Sequence, residues 1–209
     1  MASVKRTVNP TLEPVSLADQ MAHARIFDTH EGALIEGYIT AARIVCENKI
    51  GQAFVTSTYQ KQIDRFPCAT RLNPHAAIHI DRPPLQSVTS IVYVAQDGTS
   101  TTMASSDYTV NTNAMPGFVT PAYGHYWPTM RFVPNAVTIT YQAGYGGAGA
   151  SATTSVAAVP EPAKLAIKVL AQHFFQERDT NAVAPQAIDA LLSTVDHGNY
   201  RVAVPEDYV

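Results

Sequence analysis

Between Asp28 and Tyr59 the chain reads DTHEGALIEGYITAARIVCENKIGQAFVTSTY, and its hydrophobic period changes within that stretch. Up to Ile50 the apolar residues Leu34, Ile35, Tyr38, Ile39, Ala42, Val45, Cys46 and Ile50 recur at steps of three and four, which predicts one continuous helical stripe. From Phe54 onward, Val55-Thr-Ser-Thr-Tyr59 alternates and carries the β-branched and aromatic residues of a strand. Asp28 and Glu31 have the spacing of a capping box with Asp at the cap, and Gly51 is placed to stop the helix. A helix that passes directly into a strand predicts an α+β chain.

Working back towards the N-terminus, Ser16 can cap a helix over Leu17–Phe27, with Asp19 in its first turn facing the exposed amides. Residues 1–14 are polar, contain Pro10 and Pro14, and read as an arm. Working forward, Ala77–Ile80, Val88–Val94 and Val137–Tyr141 repeat the strand composition, and Asp97-Gly98 is a hairpin turn between Ile91–Val94 and Thr101–Met103. Prolines at 83, 84, 116, 121, 128 and 134 divide the rest into short strands and loops. Tyr108, Phe118, Tyr126, Trp127 and Phe132 are expected to supply the core of this β-module.

Gly144 to Ser155 reads as a flexible Gly/Ala/Ser linker. Helical signal returns at Val159-Pro-Glu-Pro162, where proline suits the first turn. Ala163, Ala166, Ile167, Leu170, Ala171 and Phe174 then form one stripe. Leu165, Val169 and Phe175 extend that apolar surface around the side, which makes them the candidate subunit-contact residues. A shorter helix is expected over Pro185–Val195. The remaining tail alternates Tyr200, Val202 and Val204 with Arg201 and Ala203, and ends near Tyr208. That pattern can add a strand to the sheet edge of a neighbouring molecule.

These elements predict a mainly helical bundle. A helical hairpin over residues 15–52 and helices over 159–196 form one bundle, interrupted by an antiparallel β-rich insertion at 53–143. A linker at 144–158, an arm at 1–14 and an extended tail at 197–209 complete the organisation.

Of the 209 residues, 15% are charged, below the roughly one quarter of ordinary soluble domains, so part of the surface is expected to meet another chain. The net charge of −3 leaves no basic footprint for gripping nucleic acid. Cys46 and Cys68 make no disulfide framework, residues 1–10 lack the apolar run of a signal peptide, and no membrane-spanning run is present. Synthesis in a reducing cytoplasm is therefore expected.

Chemistry is hard to find. Gly144, Gly146, Gly147 and Gly149 suggest a phosphate loop, but no Gly-Lys-Ser/Thr follows, and no helix start is expected for about a dozen residues. His75 and His79 with Asp81 offer the one candidate for metal-dependent hydrolysis. On a strand, however, residues four apart lie about 13 Å from each other, too far to share one ion. His173 and Glu177 are spaced for a helix-face hydrogen bond, and Cys46 reads as a small buried hydrophobe. No catalytic, cofactor-binding or metal-ligating residue is predicted, and the chain is expected not to be an enzyme.

Leu17–Ile50, with Asp28–Glu31 and the run Ala33–Ala42, resembles the N-terminal helical hairpin of the head–tail connector proteins of tailed bacteriophages. Arg82–Val94 followed by Asp97-Gly98 is similar to the recognisable strand pair of that family. Ser106–Val110, Trp127-Pro128, Val137–Tyr145 and Val159–Pro162 continue the likeness in order, so that it covers roughly residues 15–195. The resemblance implies a head-completion adaptor of the virion, assembled as a dodecameric ring beneath the portal protein. Double-stranded DNA would pass through its lumen unread, and the next connector or tail protein would dock below. It also implies that the C-terminal segment reaches into the portal, and the alternating pattern makes Tyr200, Val202, Val204 and Tyr208 the candidate portal-binding residues. A tail-completion or attachment module is the alternative virion part.

Overall fold

The computed structural model describes residues 3–28, 30–71, 73–147, 149–177 and 186–195. The chain opens with strand β1 (Ser3–Val8) and then forms helices α1 (Leu17–Ala24) and α2 (Gly32–Ile50). Seven further strands follow: β2 (Ser57–Ile63), β3 (Ile78–His79), β4 (Leu85–Val94), β5 (Ser100–Thr102), β6 (Tyr108–Asn111), β7 (Phe118–Pro121) and β8 (Val137–Ala143). Helices α3 (Ala152–Ala158), α4 (Glu161–Gln176) and α5 (Ala187–Ser193) close the described chain. The larger sheet is antiparallel with strand order β1-β2-β8-β4-β5, and a smaller one has the order β3-β7-β6.

The mainly helical bundle is overturned by this arrangement. Among the described residues 31% are helical and 24% in strands, and a five-stranded sheet rather than a bundle organises them. Three of the five described helices have only seven or eight residues. Such short helices are marginal unless their apolar face is buried against something larger. The sheet is also more than an insertion. Ser3–Val8, expected as part of a polar arm, pairs with β2 and forms an edge strand, with Val4 opposite Lys61 and Arg6 opposite Tyr59.

Two apolar cores result. Ile35, Ile39, Ala42 and Cys46 of α2 pack with Ala163, Ala166, Ile167 and Leu170 of α4 and with Ile188 and Leu192 of α5. Tyr59, Ile91, Val137, Ile139 and Tyr141 of the large sheet pack with Ile78, Ile80 and Val119 of the smaller one. Each fully buried aliphatic side chain contributes about 1.5–3 kcal/mol. Phe54 and Val55, where the period changes, belong to the helical core, so the handover residues stitch the two layers.

Several local expectations need correction. Asp28 does not cap α2. Its Oδ1 accepts from the His30 amide in a local turn, and Glu31 stands at the N-cap without capping the helix through its side chain. Leu34 and Val45 of the α2 stripe face outward. Tyr126 (89% exposed) and Phe132 (84%) stand out from the β7–β8 loop rather than filling the β core. Trp127 alone of that trio packs inward, stacked on Phe66 with ring centroids 4.8 Å apart. The linker is short and anchored. Gly144 (φ 141°) passes so close to β2 that a Cβ there would lie 2.6 Å from the Thr56 nitrogen, and Ser151 caps α3 by accepting from the Thr154 amide. Three other expectations match: the Ser16 cap, the Gly51 stop at φ 70°, and the Asp97-Gly98 hairpin.

Candidate functional site

The chemical candidates are dispersed or occupied. His75 is exposed ahead of β3, and His79 lies on β3 against Phe118, while Asp81 is paired with Lys61 at 2.8 Å. Lys61 also donates to the His79 carbonyl at 2.7 Å, and burial together with the lysine charge lowers the His79 pKa. Among the described residues no group of three or more His, Cys, Asp or Glu is placed to hold a metal. Glu177 closes α4 by donating its amide to the His173 carbonyl, and His173 Nε2 is buried without a hydrogen-bond partner among the described residues. A helix does follow the glycine run, beginning at Ala152, but its cap is satisfied by Ser151. Burial, with the Glu47 charge beside it, pushes the Cys46 thiol up to about 12. No described helix is long and apolar enough to cross a membrane.

What the structure does assemble is an ion cluster beneath the edge of the sheet. Glu47 of α2, 1% exposed, accepts from Arg6 Nη2 of β1 at 2.5 Å and from Arg43 Nη1 at 2.8 Å. Its other oxygen accepts from the Phe54 amide at 2.9 Å. Arg43 in turn donates from Nε to Glu13 at 2.6 Å, and Arg6 donates to the Tyr59 hydroxyl at 2.7 Å while its guanidinium lies 5.2 Å from the centre of that ring. Burial, together with the Glu47 charge, pushes the Tyr59 phenol upward. Removing one partner from such a cluster strands the others in a low-dielectric setting, so the group fixes β1 to α2. Sequence reading missed it. Arg43 and Glu47 do fall on the Ile39–Cys46 face, the one available signal, but Arg6 and Glu13 lie in residues read as an arm.

Beside the cluster runs a groove, two adjoining hollows of about 210 and 250 Å³ that share Val4 and Arg82. The first is completed by Arg6, Ile44, Asn48 and Tyr59, and the second by Gly51, Ile80, Asp81, Pro83 and Pro116. Arg82 is held at φ 61° and donates to the Glu47 carbonyl (3.1 Å) and to Asn48 Oδ1 (2.9 Å).

The candidate contact residues fare differently. Leu165 is 41% exposed, whereas Val169 and Phe175 pack partly against the helical core, Phe175 edge-on to Tyr38. The tail residues Tyr200, Val202, Val204 and Tyr208 lie outside the described residues. Further exposed apolar surface comes from Leu34, Ile44 and Val45 on α2, and from Tyr123, Tyr126 and Phe132 in the β7–β8 loop.

Solved structures match this whole arrangement. The neck of an empty gene transfer agent particle computed with C6 symmetry aligns with a TM-score of 0.70 and 18% identity, over 92% of this chain and 94% of the other. The chain shares the fold of a gene transfer agent neck component. The virion of a native gene transfer agent particle aligns at 0.69 and 18%, over 91% and 93%. The neck of a native particle computed with C12 symmetry aligns at 0.66 and 19%, over 93% of both chains. No protein-family model matches the sequence, and no curated protein does. The likeness is therefore one of fold.

Proposed function

We propose that this chain is a structural subunit of a phage-type virion neck, assembled as a ring that continues the DNA channel from head to tail. The observation that carries the proposal is the near-complete overlap, in both directions, with chains from gene transfer agent necks and virions. Their C6 and C12 symmetries support a homo-oligomeric ring, with a dodecamer as the expected form. The exposed apolar residues of α2, α4 and the β7–β8 loop supply surface for neighbouring subunits and for the portal and tail-side proteins. A net charge of −3 suits a lumen through which DNA slides without adhering. The role is structural, not enzymatic, with no cofactor. The alternating tail, through Tyr200, Val202, Val204 and Tyr208, is the segment proposed to engage the portal.

Electron microscopy of intact particles tests the proposal. Ring density of this fold at the head–tail junction is the expected result, and its location elsewhere in the particle overturns it. Loss of portal binding on removal of residues 199–209 tests the tail assignment separately.

A further inference from the structure

We infer that neighbouring copies of this chain meet through two different surfaces, the aromatic β7–β8 loop of one lying on the exposed face of α2 of the next, with Arg131 beside Glu36. The inference deepens the proposed ring and rests on that reading, since it names the two surfaces that close it.

Ile35, Ile39, Ala42 and Cys46 bury one side of α2 against α4. On the other side Leu34, Gly37, Ala41, Ile44 and Val45 follow one another at steps of three and four, and all five are exposed. None of them is charged. Gly37 and Ala41 carry almost no side chain, and a Cβ at Gly37 would meet no atom within 4 Å, so Leu34, Ile44 and Val45 flank a shallow apolar bed. The loop has the matching shape. Tyr126 and Phe132 stand out into solvent, yet the backbone beneath them is held, because Trp127 stacks on Phe66 and the Arg131 amide donates to the Val94 carbonyl at 3.0 Å. Large rings presented on a fixed backbone are the side chains that anchor protein interfaces, and they need an apolar recess to enter.

Charge complements shape. Glu36 lies on the margin of the α2 face and Arg131 lies next to Phe132; both are exposed, and neither has an ion-pair partner among the described residues. Within one molecule the two surfaces are distant. Phe54 leads from α2 towards the start of β2, which pairs with the end of β8 at Ala143, whereas the loop enters β8 at Val137. β8 has seven residues, so roughly 20 Å of strand lies between those ends. Complementary surfaces that are separated in their own chain can meet between copies. Because the two differ, each copy in a pair keeps one of them free for a further neighbour, and such a heterologous contact closes into a ring when the rotation between copies allows.

Oxidative cross-linking in assembled particles tests this. In a Cys68→Ser background, which removes the exposed native thiol, the double variant Ala41→Cys/Tyr126→Cys is expected to form a ladder of linked chains longer than dimers. Either new cysteine alone should leave single chains. All three positions are exposed, so the fold is retained. Absence of the ladder overturns the inference, even where electron microscopy shows the chain as a ring at the neck. Dimers formed by Tyr126→Cys alone also overturn it, by setting loop against loop. A ladder from chains found away from the head–tail junction upholds the contact and overturns the neck reading instead. Charge reversal supplies an independent measurement. Arg131→Glu and Glu36→Arg should each lower incorporation about tenfold, and their combination should restore it. Failure of the combination to restore it overturns the pairing of Arg131 with Glu36.

Discussion

Glu47 and Arg6 stand 41 residues apart in sequence, and their side chains meet at 2.5 Å where the edge of the sheet crosses the end of α2. Because Glu47 also holds Arg43 and the Phe54 amide, it joins the first strand, the longest helix and the start of the β region. Glu47→Ala is expected to cost about 3–5 kcal/mol, since Arg43 is then left buried with only Glu13. Urea denaturation followed by circular dichroism measures it, and a loss below about 1 kcal/mol would show the cluster to be dispensable.

Arg6→Ala should act more locally. It removes the tie on β1 without touching the pairing of β2 with β8, so Ser3–Val8 amides exchange faster while β8 amides do not. Equal acceleration of both strands would mean that β1 is integral to the sheet rather than clipped to its margin.

The two cysteines should separate cleanly by reactivity. With its thiol pushed up to about 12 and its side chain in the helical core, Cys46 stays unlabelled by an alkylating reagent near neutral pH, whereas exposed Cys68 reacts. Mass spectrometry is expected to find one modification per native chain and two after denaturation.

At the β4–β5 turn, Asp97 accepts from the Thr99 amide and hydroxyl, which holds its carboxyl below the ordinary value of 3.8. A depressed folded pKa means that the turn's contribution is complete above 3.8 and is lost as pH falls through the lower folded value. Amide shifts of Gly98 and Thr99 followed by NMR should therefore hold steady down to that range and move only below it. Movement beginning near neutrality would contradict the assignment.

The exposed aromatics divide folding from assembly. Tyr126→Ser with Phe132→Ser should leave thermal stability within about 0.5 kcal/mol of the wild type, because neither ring packs on the core. Under the proposed neck role, incorporation into particles should nevertheless fall. Normal incorporation at wild-type stability would show that the β7–β8 loop faces open solvent in the assembly.

Much of the architecture can be read locally. The change of period at Phe54, the Gly51 stop and the Asp97-Gly98 turn each depend on a few adjacent residues, and each stands in the structure where periodicity and turn chemistry place it. The failures share a physical cause. β1 carries Lys5, Arg6 and Thr7, so its strand character comes from pairing with β2 and from a charge partner far along the chain rather than from its own composition. Tyr126 and Phe132 look like core residues by type, and only the path of a proline-bounded loop turns them outward. The groove is less legible still, since its walls come from β1, α2 and the residues around Arg82, three segments with no shared motif.

The position of β8 in the large sheet has a consequence for how the molecule is made. It is the central strand, bonded to β2 on one side and β4 on the other, yet it is the last strand of the described chain to leave the ribosome. Until residue 143 has emerged, β1 and β2 cannot reach β4 and β5, and α2 still awaits α4 from residues 161–176. A nascent chain therefore offers no finished surface to a neighbour. The large sheet and the helical core therefore close only late in synthesis, after β8 and α4 have both emerged.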